Sequence, residues 1–207
     1  MNLTFVDLQP GVVSAWKDAF AGYSQVAVRA GSIFDVECDA LVSPANSFGF
    51  MDGGLDMHIS RFFGWHVQER LQELIRDKHH GELLVGTAEI VPTDHPRIPY
   101  VISAPTMRVP MILDETVNVY LATRAVILLV RHGRFPDGRP IGDVVRTIAV
   151  PGMGTGVGRV PPAICARQMK AAVDDALVKT TSFPSSWMEA QIRHQLLYGE
   201  DSRDLQF

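Results

Sequence analysis

Cysteine is scarce. A chain of 207 residues carries only Cys38 and Cys165, too few for a disulfide framework, and a reducing compartment such as the cytoplasm is the expected home. Long apolar runs are missing as well. The longest, Ala125 to Val130, is bracketed by Arg124 and Arg131 and falls far short of the roughly 20 residues that span a bilayer, so no membrane partner is expected. Met1 to Leu8 has neither the basic stretch nor the apolar stretch of a secretory signal, which again predicts a cytoplasmic protein. There is no basic excess, because 19 Lys and Arg stand against 23 Asp and Glu for a formal net charge of -4. With no overall positive field, sequence-specific nucleic-acid binding is not expected, and any anionic ligand has to be gripped locally. The seven histidines show neither the i,i+4 pair of a metalloprotease helix nor zinc-ligand spacing with the cysteines, so neither a metal nor another cofactor is expected. Ser14, Ser24 and Ser47 sit in no nucleophile elbow. Internal repeats, heptads and low-complexity tracts are also absent.

What remains is the composition of a globular protein, 46% hydrophobic and 20% charged. Short β-rich runs alternate with helical patterns, the signature of an α/β layer arrangement. Strands are predicted at Leu3 to Val6, Gln25 to Arg29, Ala40 to Ser43, Thr87 to Val91, Tyr100 to Ser103 and Thr147 to Val150. Helices are predicted at Gly11 to Ala21, Trp65 to His80 and Glu115 to Arg131, from a first turn holding Pro161 and Pro162 to about Val178, and within Ser185 to Tyr198. Lys78, His79 and His80 suit a helix C-terminus, with Gly81 placed to be its left-handed cap. Gly133 to Gly142 reads as an exposed loop. The two cysteines are expected to be buried small hydrophobes. Phe183, Trp187 and Tyr198 are expected to pack the terminal helix, with the roofing of a base as the rarer alternative. Residues 1–182 form the expected domain and 183–207 a C-terminal helical extension, whose acidic tail is expected to fray beyond Gly199.

Two glycine-rich turns each follow a predicted strand and precede a predicted helix. The first runs from Ser43 through Asn46, Asp52, Gly53, Gly54 and Leu55 to Asp56, and the second from Pro151 through Gly154, Thr155, Gly156, Val157 and Gly158. Residues without side chains let backbone approach a ligand closely, and amides at a helix start cradle an anion, with pyrophosphate the natural tenant. Neither turn is a Walker loop or a dinucleotide fingerprint. Plain tight turns are the other reading.

Taken in order, Gly31-Ser32-Ile33, then Asp39 to Asn46, then Asp52 to Asp56, then Gly154 to Gly158 resemble the macro domain, an ADP-ribose-binding module, over about Val26 to Met169. The resemblance implies a three-layer α/β/α fold with a mixed central sheet and a cleft for ADP-ribose, or an ADP-ribosylated substrate, at the strand ends. It implies ligand contacts at Ser32, Ile33, Ser43, Ala45, Asn46, Gly53, Gly54, Leu55, Gly154, Thr155, Gly156, Val157 and Gly158. Asn46 would orient the distal ribose, since an amide both donates and accepts. Asp56, with Asn46, is the implied catalytic pair of a hydrolase. An acid in a first helical turn also has a plain account, because it favours the macrodipole by about 0.3–1 kcal/mol. Three positions depart from the family pattern: Ser32 stands where an aspartate receives the adenine amino group, Ser43 replaces an asparagine, and no aromatic precedes Gly158. Hydrolysis of an ADP-ribosyl bond, a reader module without catalysis, and a phosphatase acting on ADP-ribose 1″-phosphate are the three activities left open.

Overall fold

A computed structural model describes residues 1–200. Six strands form one sheet: β1 (Asn2–Asp7), β2 (Val26–Ala30), β3 (Ala40–Ser43), β4 (Glu89–Pro92), β5 (Tyr100–Ser103) and β6 (Thr147–Val150), in the order β2-β1-β6-β3-β5-β4. Every pairing is parallel except β4 with β5, so the sheet is mixed. Alternation along the strands sends side chains to both faces. Leu3, Phe5, Ala40, Val42, Ile102, Ile148 and Val150 enter one core, while Val6, Leu41, Val101 and Ala149 enter the other. Helices α1 (Pro10–Ala19), α4 (Asn118–His132) and α6 (Pro162–Val173) cover the first face, and α2 (Gly54–Phe63) and α3 (His66–His79) cover the second. Three α/β/α layers result, the arrangement that the family resemblance implies.

Strands β3, β5 and β6 have the bounds read from the sequence. The helix starts and ends are where tertiary context wins. Helix α1 starts on Pro10 itself, whose missing N–H costs nothing there. Glu115 has φ 47°, a left-handed turn, and so α4 starts three residues later, at Asn118. His80, at φ 54° and ψ 33°, is the C-cap of α3, and Gly81 at φ 96° only continues that turn. The loop from Gly133 holds a short α5 (Ile141–Val144), because Ile141 is buried against α4. After Val173 the chain widens into a π turn, Asp174–Val178. That turn lets adjacent carboxylates take separate partners: Tyr23 Oη donates to Asp174 at 2.6 Å and Tyr120 Oη to Asp175 at 2.8 Å.

The last helix, α7 (Trp187–Gln195), starts under a Ser186 side-chain cap and buries no residue. Phe183 is 93% exposed and Trp187 64%, so these aromatics do not pack the terminal helix down. Polar bonds hold the extension instead, with Arg167 Nη1 donating to the carbonyls of Gly199 at 2.6 Å and Leu196 at 3.4 Å. Of the tail expected to fray beyond Gly199, residues 201–207 lie outside the described residues. Among the described residues no helix is long and apolar enough to cross a membrane.

Candidate functional site

Because β1, β2, β3, β5 and β6 are mutually parallel, the segments that leave their C-terminal ends lie on one edge of the sheet. In open α/β sheets that edge is where ligands bind. Both glycine turns are there. The first leaves β3 and enters α2 at Gly53, and the second leaves β6 and leads to α6. In sheet order the edge presents Gly31 and Ser32 after β2, Asp7 closing β1 with Gln9 beyond it, Pro151 to Gly158 after β6, and Ser43 closing β3 with the turn to Gly54 beyond it.

Gly53 and Gly54 are exposed, and a Cβ on either would meet nothing within 4 Å. Gly54 has φ 55°, a conformation that favours glycine at the start of α2. Leu55 is partly buried on the α2 side. In the second turn Gly156 and Val157 are exposed and Thr155 is half-buried, whereas Gly154 and Gly158 are buried under Leu113. Leu113 N donates to Gly158 O at 2.9 Å, so the segment after β5 reaches across to brace this turn. Gly156 is open to any ligand, while Gly154 and Gly158 shape the turn from below.

Asn46 spends its amide on its own loop. Its Oδ1 accepts from Phe48 N at 3.1 Å and Phe50 N at 3.3 Å, and its Nδ2 donates to Phe50 O at 2.8 Å. One amide hydrogen remains for a ligand. Ser32 caps a short 3-10 turn (Ile33–Asp35), its Oγ accepting from Phe34 N at 3.3 Å. Ile33 and Ala45 are buried, which leaves backbone as their means of contact. Asp35 is exposed.

Asp56 sits in the first turn of α2 but points inward, being 7% exposed, and Ser43 Oγ donates to its Oδ1. Burial dominates its chemistry and, with the Ser43 hydroxyl opposing and the Asp52 charge adding, pushes the carboxyl up to about 7. A helix-terminus interaction of about 0.3–1 kcal/mol is smaller than a shift of this size, at about 1.4 kcal/mol per pKa unit. The macrodipole alone therefore does not account for an acid here. Cys38 and Cys165 are both buried, and burial raises their thiols to about 11 and about 12. Neither supplies a thiolate near neutrality.

The sequence reading missed Asp7. Its Oδ2 accepts from Gly152 N at 3.0 Å and its Oδ1 from Gln9 N at 2.8 Å, tying the end of β1 to the second glycine turn. An acid closing the apolar run Leu3 to Val6 just before Pro10 is the local signal that was there to be read.

The family model described as Macro domain matches residues 42–169. An uncharacterized protein of Aquifex aeolicus is 35% identical over 144 residues, which is 70% of this chain and 78% of that protein. Among solved structures, the macrodomain of Mycobacterium tuberculosis DarG is similar at TM-score 0.57 and 18% identity, covering 71% of this chain and 88% of that one. A mutant Oceanobacillus iheyensis macrodomain with ADPR is similar at TM-score 0.59 and 18% identity, covering 73% and 77%. At such identities the structural likeness speaks to the fold alone.

Proposed function

Because the chain belongs to the macro domain family, we propose that it binds ADP-ribose, or a close NAD-derived relative, along the cleft edge of its sheet and hydrolyses an ADP-ribosyl bond there. The observation that carries this reading is the meeting of two open glycine turns on one sheet edge, with a buried, ionisable carboxyl in the first turn of the helix that the first of them enters. The ADPR held by the Oceanobacillus relative supports the ligand class. Backbone amides of Gly53, Gly54 and Thr155 to Gly158 hold the diphosphate, and the free amide hydrogen of Asn46 orients the distal ribose. Ser32, Ile33, Ser43, Ala45 and Leu55 complete the walls. Asp56 positions or deprotonates the attacking water, a role worth about 10²- to 10⁴-fold in rate. Residues 1–182 are the binding unit and 183–207 an appendage, in keeping with a terminal helix that buries nothing. A reducing cytoplasm suits two buried, unpaired cysteines.

A reader module without catalysis is the second reading. It is favoured by the inward turn of Asp56 and by an Asn46 amide already spent on its loop. Calorimetric titration with ADP-ribose, AMP and NAD, followed by product assays on ADP-ribosylated protein, O-acetyl-ADP-ribose and ADP-ribose 1″-phosphate, tests both. Binding of ADP-ribose with release from the first two substrates is the expected result. Binding without any release leaves the reader, release of phosphate alone leaves the phosphatase, and absence of ADP-ribose binding removes all three.

Ser32 gives a second expected outcome. Aspartate caps a turn as well as serine does, so Ser32→Asp should keep the fold. A charge-assisted bond to the adenine amino group is about twice as strong as a neutral one, partly offset by desolvation of the new carboxylate. ADP-ribose should bind Ser32→Asp a few-fold more tightly, as read by calorimetry. Weaker binding by the folded variant would mean that adenine is held elsewhere.

A further inference from the structure

Residues 104–117, between β5 and α4, form no helix or strand. Loops of more than about 12–15 residues without regular structure are uncommon in compact domains outside functional segments. This one is tied down on both sides of the cleft. Met107 bridges to Asn46 and Ser47 N donates to Arg108 O at 3.1 Å beside the first glycine turn, while Leu113 is buried and donates to Gly158 O at 2.9 Å at the second. Its ends are held as well, by Asn118 Nδ2 donating to Thr106 O at 2.8 Å and Gln168 Nε2 to Thr116 O at 2.7 Å. Between the two turns the chain crosses the end of β3 as a strap. Val109, Pro110, Met111 and Ile112 all face water there, with Val109, Met111 and Ile112 at 44, 45 and 55% exposure. An exposed run of about three or four apolar residues has no part in the core, and on an anchored backbone it marks a binding surface.

Place and charge decide what this surface takes. The strap starts beside Asn46, the residue for the distal ribose in the proposed complex, and in sheet order it lies across the cleft from Ser32. Whatever is attached to the distal ribose therefore leaves the cleft over the strap. Val157, exposed next to Gly158, extends the apolar surface. The charges around it are acidic on balance: Asp52, Asp114 and Glu115 are exposed beside an exposed Arg159, and the Arg108 guanidinium is held by Glu82 at 2.7 and 3.2 Å. A nucleic-acid strand would bring its phosphates against those acids. We infer that the strap docks the polypeptide that carries the ADP-ribosyl group, gripping apolar side chains beside the modified residue. The inference rests on the reading that ADP-ribose lies in the cleft, and it holds with or without hydrolysis. Met111 suits the task, since an unbranched thioether adapts to different apolar neighbours.

The test is calorimetry on the whole chain with free ADP-ribose, with peptides that carry ADP-ribose through a hydrolysis-resistant link and have either leucines or serines flanking the modified residue, and with a single-stranded oligonucleotide bearing the same group. Wild type should bind the leucine peptide at least about tenfold more tightly than the serine peptide, because partial burial of one apolar side chain is worth that much. The double variant Met111→Ser/Ile112→Ser should lose this preference and keep its affinity for free ADP-ribose within about twofold, as exposed substitutions do. Leu8→Ser, which removes an exposed leucine at the β1 end of the same edge, should retain the preference. Equal binding of the two peptides by a wild type that binds ADP-ribose overturns the inference, and so does a tighter hold on the oligonucleotide, which would assign the strap to nucleic acid. A wild-type dimer that the double variant dissociates, read by sedimentation, gives the surface to a second copy and overturns it too. Failure of wild type to bind free ADP-ribose is a distinct result, which ends the cleft reading and the inference with it.

Discussion

Asp56→Asn should make the protein more stable at pH 8 and, at the same time, slow hydrolysis about a hundredfold. The stability half follows from burial. With the folded carboxyl raised to about 7 and an unfolded aspartate near 3.9, the native state holds more protons than the unfolded state between those values. Stability from this group is therefore full below about pH 4 and is lost as pH rises to about 7. The whole shift corresponds to roughly 4 kcal/mol. Asparagine removes the charge and can still accept from Ser43 Oγ, but its new amide hydrogens need acceptors in a buried place. A net gain of about 1–3 kcal/mol remains, or roughly 2–12 °C in Tm for a chain of this size. The kinetic half follows because an amide keeps the shape of the acid and is no base. In wild type the rate should climb with pH through about 7 as Asp56 ionises. Thermal melts at pH 5 and pH 8 and a pH–rate profile check both halves. A variant less stable than wild type at pH 8 contradicts the burial argument. Turnover indifferent to Asp56→Asn makes the acid structural.

That opposition could not be read from the sequence, where Asp56 is simply an acid in the first turn of a helix. The inward turn depends on Ser43, 13 residues earlier at the end of β3, and on α2 lying over the sheet. Short β-branched runs were legible. Thr147 to Val150 stops at Pro151 and Tyr100 to Ser103 follows Pro99, so local chemistry fixes both strands. Both glycine turns were legible for the same reason. Contacts across the sheet edge were not. Asp7 and Gly152 are 145 residues apart, and Leu113 reaches Gly158 only after crossing the end of β3. Asn46 shows a subtler limit. Its residue type suits a ribose, but the same amide also suits three backbone groups of its own loop, and composition cannot say which partner wins.

Gly156→Glu should abolish ADP-ribose binding in a protein that still folds, because Gly154, Gly156 and Gly158 do different work in the second turn. Gly154 has φ 73°, and a Cβ there would lie 3.1 Å from each of Leu113, Val119 and Val160, while at Gly158 it would come within 2.6 Å of the Gly154 carbonyl. Substitution at either strains the backbone or the core and loses binding by unfolding the turn. Gly156 has no such constraint, since its Cβ would meet nothing within 4 Å and its φ is not left-handed. A glutamate there projects from the exposed tip of the turn, toward the diphosphate in the proposed complex. Two like charges about 4 Å apart repel by roughly 4 kcal/mol near a protein surface, and about 2.7 kcal/mol already weakens affinity a hundredfold. Calorimetry should therefore show at least a hundredfold rise in Kd, with Tm within about 2 °C of wild type. Gly156→Gln, equal in bulk and uncharged, should lose much less, which separates repulsion from crowding. A Gly156→Glu protein that melts like wild type and binds ADP-ribose as tightly would remove the second turn from the phosphate site and leave the first turn, at Gly53 and Gly54, to hold the anion alone.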